Sequence, residues 1–307
     1  MRILITGGAG FIGSNLLVQL KSTRHKVIAL DNFSNGVSGY DHSKTTNFII
    51  GDVRDYKFCE EATRDINAVI HLAAKGNVSD SIMNPDENFQ NNVQGTFNIL
   101  KACAKNGVEK FILASTGGAL MGNCELPANE NSVPKPISPY GASKLACEGY
   151  CQAFSHIHGI DMTILRFANV YGPYSLNKIG LVNTVMRNIS NNEPIIVYGD
   201  GSSTRDFIYV DDLCKGIIQS LLKNNAGCDI FHLGTGIETT IIKLTKTLIR
   251  NSRKEKTHIK HVDERVGEIR HNVTSFAKAK KMLGFNPKTP IDQGIAKTWA
   301  WYIKSLY

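Results

Sequence analysis

The chain has 307 residues, 42% of them hydrophobic and 20% charged, which supplies enough apolar side chain for a sizeable core and argues against disorder. Its formal charge of +8 gathers between Lys243 and Lys288; a solvated basic face is expected there and no nucleic acid, since no nucleic-acid motif or interleaved aromatic series accompanies the charge. No apolar run reaches the roughly 18 residues of a membrane span, no signal-peptide pattern precedes the first strand, and seven cysteines without a C-x-x-C pair point to a cytoplasmic protein with reduced thiols, no metal site and no membrane partner.

Arg2-Ile3-Leu4-Ile5-Thr6 is a β-branched run that leads into Gly7-Gly8-Ala9-Gly10-Phe11-Ile12-Gly13 and then the periodic Leu16, Leu17 and Leu20, a strand, a glycine turn and a helix. Such a turn lets backbone N–H groups approach a pyrophosphate, and the positive end of the following helix attracts it. The spacing G-x-x-G-x-x-G departs from G-x-G-x-x-G, so position after a strand carries much of the signal. A second run, Lys26 to Leu30, ends at Asp31, where a carboxylate can hold an adenosine ribose and would repel a 2′-phosphate, favouring NAD over NADP. A third, Phe48-Ile49-Ile50, leads into Gly51-Asp52-Val53, with Asp52 within reach of an adenine.

Strands are expected near 2–6, 26–31, 47–50, 67–73, 110–115 and 161–166, with helices starting near 11, 86 and 139. That alternation reads as an α/β fold, a Rossmann-type doubly wound parallel sheet. Ligands bind such sheets at the carboxyl ends of the strands, where Gly7, Asp31, His71-Leu72-Ala73-Ala74, Ser115-Thr116 and Asn169 all fall. The stretch holding Pro127, Pro134, Pro136 and Pro139 is expected to be irregular and to cover that cleft. Tyr140 and Lys144 follow, four residues apart on one helical face, with Ser138 and Pro139 as N-cap and first helical residue. A phenol titrates near 10 and an adjacent cation moves it by about 1 to 3 units, so Lys144 is expected to make Tyr140 a usable base. Residues 1–166 are expected to form the dinucleotide domain, with segments near 200–228 returning to it. Residues 167–307 read as a smaller mixed α/β domain for substrate. Phe89, Val93, Phe97 and Leu100 recur at helical spacing, as do Tyr150 and Phe154, and are expected in the core.

These motifs, joined by Asn91-Asn92-Val93-Gln94-Gly95-Thr96, Arg166 through Pro173, Tyr198-Gly199-Asp200-Gly201, Thr204-Arg205-Asp206-Phe207 and Arg265-Val266-Gly267-Glu268, occur in one order over essentially the whole chain. The ordered set resembles the extended short-chain dehydrogenase/reductases, NAD-dependent epimerase/dehydratases of the UDP-glucose 4-epimerase-like branch. The resemblance implies NAD held by Gly7, Gly10, Phe11, Ile12 and Gly13 at the pyrophosphate, Asp31 and Asn32 at the ribose, and Asp52 and Val53 at the adenine. Leu72, Ala73, Ala74 and Asn91 would line the cofactor. It implies a UDP-sugar held by Asn169, Arg205 and Arg265 at the pyrophosphate, Glu268 at the uridine ribose, and Ile196 and Tyr198 beside uracil. Two arginines match the two charges of a pyrophosphate. A homodimer formed through two paired helices is also implied.

The implied reaction is 4-epimerisation through a transient 4-keto sugar, with Tyr140 as base, Lys144 beside the nicotinamide ribose, and a hydroxyl from Thr116, or second Ser115, orienting the sugar oxygen. The sequence departs from the family pattern after that hydroxyl, where Met121 stands in place of a tyrosine. Sister dehydratases and UDP-glucuronate decarboxylases carry acids near that point, whereas Gly117, Gly118 and Ala119 offer none. Both remain alternatives, as does a non-catalytic NAD-binding scaffold. Asn272, counted from Arg265, occupies the position where a tyrosine limits room for a 2-N-acetyl group, so UDP-GlcNAc and UDP-GalNAc are expected beside UDP-glucose and UDP-galactose.

Overall fold

In a computed structural model of the chain, the residues described are 1–35, 40–41, 47–224, 227–264 and 269–306. The apolar run at the start forms β1 (Arg2–Thr6), followed by α1 (Phe11–Leu20), β2 (Lys26–Asp31), β3 (Phe48–Ile50), α2 (Tyr56–Ala62) and β4 (Ala68–His71). Next come α3 (Val78–Met83), α4 (Pro85–Phe89), a π-helical turn over Gln90–Gln94, and α5 (Gly95–Asn106). β5 (Lys110–Thr116), the short α6 (Gly118–Met121), α7 (Pro139–His158) and β6 (Asp161–Phe167) complete the first half. The second half runs β7 (Asn169–Tyr171), α8 (Leu181–Asn191), β8 (Ile195–Tyr198), β9 (Thr204–Tyr209), α9 (Val210–Leu222), β10 (Cys228–Leu233), β11 (Glu238–Thr240), α10 (Ile241–Ser252), β12 (Ile259–Val262), α11 (Ala277–Leu283) and α12 (Ile291–Ser305).

Among the described residues the central sheet has seven strands in the order β10-β6-β5-β4-β1-β2-β3, and every pairing is parallel. Successive side chains of a strand point to opposite faces, so Ile3 and Ile5 join Leu16, Leu213 and Ile217 under α1 and α9. Leu4 joins Val69, Ile99, Phe111 and Cys147 under α5 and α7. The chain order reverses between β1 and β4, which opens a crevice at their carboxyl ends. The fold class is therefore the doubly wound one read from the alternation of runs.

The smaller part is built from the β11-β9-β7 sheet and the β12-β8 pair, with α8, α10 and α12 enclosing Tyr171, Met186, Ile189, Leu248 and Ile295. The chain returns to the large sheet over α9 and β10, and α11 packs on β10 and α9. Asp206, fully buried in β9, holds the two parts together. Its carboxylate accepts from the Thr235 amide (2.9 Å) and hydroxyl (2.6 Å), from the Gly236 amide (3.1 Å) and from the Thr274 hydroxyl (2.9 Å).

Of the apolar residues expected in the core of this region, Val93 and Leu100 are buried, but Phe89 is 59% exposed and Tyr150 40%. A π-helical turn over Gln90–Gln94 follows Phe89 directly.

Candidate active site

Gly7 turns the chain out of β1 at φ +72°, and a Cβ there would stand 2.7 Å from the Ala73 amide nitrogen, so the loops after β1 and β4 can approach only through a glycine. At Gly13 a Cβ would stand 2.3 Å from the Gly7 carbonyl oxygen. The helix start is thereby pressed onto the turn. Gly10 caps α1 without a side-chain bond, and the Gly10 amide is spent on Gly7, that of Ser14 on Gly10. The Phe11, Ile12 and Gly13 amides form the first turn of the helix, the positive end that suits a pyrophosphate.

Asp31 stands at the end of β2 on the crevice wall. One carboxylate oxygen accepts from the Ala9 amide (2.9 Å) and the other from Phe33 (2.8 Å), which fixes the group while each oxygen keeps a further lone pair for a ribose hydroxyl. Asn32, Val53, Leu72, Ala73, Ala74 and Asn91 line the same crevice. Asp52 faces its neighbours instead: Arg54 binds it at 2.7 Å and Asn32 donates to it at 2.8 Å. The Arg54 guanidinium holds its carboxyl down at about 2. A fixed carboxylate, a glycine turn and a helix N-terminus on one crevice fit a dinucleotide with a free 2′-hydroxyl.

Asn92, not singled out from the sequence as a site residue, fastens this wall to α7. Its side chain accepts from the Lys75 amide (2.8 Å) and donates to the Lys75 carbonyl (3.1 Å) and the Ser143 hydroxyl (3.0 Å).

Ser138 caps α7 by accepting from the Gly141 amide (3.1 Å), and Pro139 occupies the first turn. That brings the Tyr140 phenol beside the Thr116 hydroxyl and to within 4.0 Å of where Gly76 would carry a Cβ. The phenol therefore stands at the crevice, beside the loop that follows β4. Lys144 donates its ammonium to the Ala114 carbonyl (2.9 Å). The charge balance differs from the one expected. Burial pushes Tyr140 up to about 12, with the Thr116 bond acting against it, and burial pulls Lys144 below the ordinary lysine range. Desolvation of the phenol dominates its shift, and the Lys144 ammonium is directed at a carbonyl.

Thr116 and Ser115 part company at the end of β5. The Ser115 hydroxyl donates to Glu148 (2.6 Å), which Arg166 grips with two bonds of 3.0 and 2.7 Å. After Thr116 the chain turns through Gly117 into α6, whose Leu120 and Met121 are buried. Met121 thus serves as packing.

On the substrate side, Asn169 is exposed at the start of β7, beside β9, which carries Arg205. Ile196 and Tyr198 are 38% and 39% exposed, while Ile195 and Val197, which alternate with them along β8, are each 1% exposed. Both candidate base-flanking residues lie on the open face of β8. The Asn272 side chain lies over Gly118, where an added Cβ would stand 2.3 Å from its amide nitrogen. It therefore adjoins the segment carrying Thr116. Arg265 and Glu268 lie outside the described residues.

The sequence model of the NAD dependent epimerase/dehydratase family matches residues 3–234. The UDP-glucose 4-epimerase of Thermotoga maritima, solved with UDP-glucose, is 34% identical, with a TM-score of 0.94 over 100% of both chains. The UDP-glucose 4-epimerase of Thermus thermophilus, solved as a complex with NAD, is 32% identical, with a TM-score of 0.91 over 99% of each. The dTDP-D-glucose 4,6-dehydratase of Bos taurus is 31% identical over 324 residues, covering 100% of this chain and 90% of its own.

Proposed function

This chain belongs to the NAD dependent epimerase/dehydratase family, and on that premise we propose that it interconverts UDP-hexoses at C4, UDP-glucose with UDP-galactose. The observation that carries the proposal is the Tyr140 phenol, set against Thr116 at the crevice between β1 and β4. Gly7, Gly10 and Gly13, with the Phe11 and Ile12 amides, hold the NAD pyrophosphate. Asp31 and Asn32 hold the ribose, and Val53, Leu72, Ala73, Ala74 and Asn91 flank the dinucleotide. When bound, oxidised NAD supplies a positive charge and accepts and returns a hydride. Tyr140 takes the proton of the sugar 4-hydroxyl and later gives it back, and Thr116 orients the same oxygen. Lys144 fixes the cofactor side, and Asn169, Arg205 and Arg265 neutralise the UDP pyrophosphate.

Dehydratases share this fold, so the choice rests on the residues after Thr116. Elimination or decarboxylation needs an acid or base near the sugar, and Gly117, Gly118 and Ala119 carry none. Asn272 is short where a tyrosine would crowd a 2-N-acetyl group, which supports UDP-GlcNAc and UDP-GalNAc as further substrates. Phe89, Tyr150 and Ile157, exposed on α4 and α7, support a homodimer paired through these helices, and sedimentation at a monomer's mass would remove that reading. Incubation with UDP-glucose, UDP-GlcNAc and UDP-glucuronate, with products resolved, tests the reaction. C4 epimers are expected; carbon dioxide or a 4-keto-6-deoxy sugar would overturn it.

A further inference from the structure

Behind the reactive pair lies a buried ionic cluster to which the proposed chemistry gives no part. Glu148 follows Lys144 by one turn on the inner face of α7, and its side chain is 4% exposed, that of Arg166 3%. Three consecutive residues of β5 meet α7 here. Ala114 receives the Lys144 ammonium, Ser115 donates to Glu148, and Thr116 meets Tyr140. The middle attachment alone extends to a third element, because Arg166 of β6, paired in register with Ser115, grips the same carboxylate from the other side.

We propose that Glu148 is a positioning residue for this reaction: its carboxylate fastens α7 to β5 and β6, and so sets where Tyr140 and Lys144 stand against Thr116 and the Ala114 carbonyl. The inference rests on the epimerase reading. It also removes Ser115 from the sugar, since its hydroxyl is spent at 2.6 Å, and leaves Thr116 the reactive hydroxyl. Charge acts in the same sense. Among the described residues, the titratable and charged groups around Lys144 are Tyr140, Cys147, Glu148 and Cys151 on its own helix, His71 on β4 and Arg166 on β6. Glu148 is the one carboxylate in that set, and it offsets two buried cations. Its loss would leave Arg166 and Lys144 uncompensated and ease the proton from Lys144.

The test compares Glu148→Gln with the wild type. Turnover should fall by about tenfold or more, in line with the cost of misplaced reacting groups, with KM for UDP-glucose within about twofold because Glu148 does not reach the crevice surface. The Lys144 ε-carbon resonance, assigned by difference against Lys144→Met, should titrate at lower pH in the variant, and it does so whether or not the protein turns over any sugar. A wild type that converts no UDP-sugar would therefore remove the epimerase reading while this titration still decides the role of Glu148. Should Glu148→Gln not fold, the double variant Glu148→Leu/Arg166→Met exchanges the ion pair for apolar groups, a swap that buried pairs often tolerate, and the same loss of turnover at unchanged KM is expected. A folded variant of either kind with wild-type turnover and an unmoved Lys144 titration overturns the proposal.

Discussion

Thr116 and Ser115 are neighbours on β5, and their hydroxyls have different partners on α7. One meets the Tyr140 phenol and the other a buried carboxylate. Thr116→Ala should therefore lower kcat by about 10²-fold or more, the usual scale for a group that assists proton transfer, and a near-normal rate would take the role away from Thr116. At Asn272, replacement by Tyr should remove turnover of UDP-GlcNAc while sparing UDP-glucose, and equal loss on both would count against a gate at this position. The pair Tyr140 and Lys144 was legible as a spacing, as was the fork between two candidate hydroxyls. Which hydroxyl faces the phenol was not, because it depends on the partner that Glu148, 33 residues further on, offers to Ser115. The upward shift of the Tyr140 phenol was hidden for a related reason: sequence spacing places a lysine four residues on but does not reveal the burial that raises the phenol.

At the scale of elements, the glycine turn and α1 act as one unit whose geometry is set by the 2.3 Å that a Gly13 Cβ would have to the Gly7 carbonyl. Gly13→Ala must push the helix start away from the turn, so NAD affinity measured by titration should weaken by at least about tenfold, equivalent to about 1.4 kcal/mol, with the far-ultraviolet circular dichroism unchanged. Unaltered NAD affinity would show that the helix N-terminus is not the pyrophosphate site. Strands and helices of the first half were legible because their apolar runs are short, β-branched and punctuated by glycine. The π-helical turn at Gln90–Gln94 was not, since nothing in Gln90-Asn91-Asn92-Val93-Gln94 departs from a regular helical pattern.

Across the whole molecule, the join between the two parts depends on buried polar groups that a sequence does not distinguish from surface ones. Asp206 sits in a motif read for its neighbour Arg205, yet its carboxylate is the one enclosed by Thr235, Gly236 and Thr274. His71 and His232, fully buried in the central sheet, make the fold sensitive to acid. Burial pushes each imidazole down to about 3, against about 6.5 in an unfolded chain. Folded values below unfolded ones mean that the unfolded chain binds more protons between those limits, so stability is full above about pH 6.5 and falls with decreasing pH, by about 1.4 kcal/mol per unit for each imidazole. Denaturant midpoints should decline steadily from pH 7 to pH 4, and His232→Leu should flatten the decline; an identical slope in the variant would refute this origin. The most direct test of the account joins the phenol to the reaction. Wild-type protein and Tyr140→Phe, each saturated with NAD, are followed by NMR on UDP-glucose. The wild type should reach a mixture of UDP-glucose and UDP-galactose, and the variant should bind UDP-glucose alike but convert it about 10²- to 10⁴-fold more slowly. A Tyr140→Phe variant that epimerises at the wild-type rate would contradict the account.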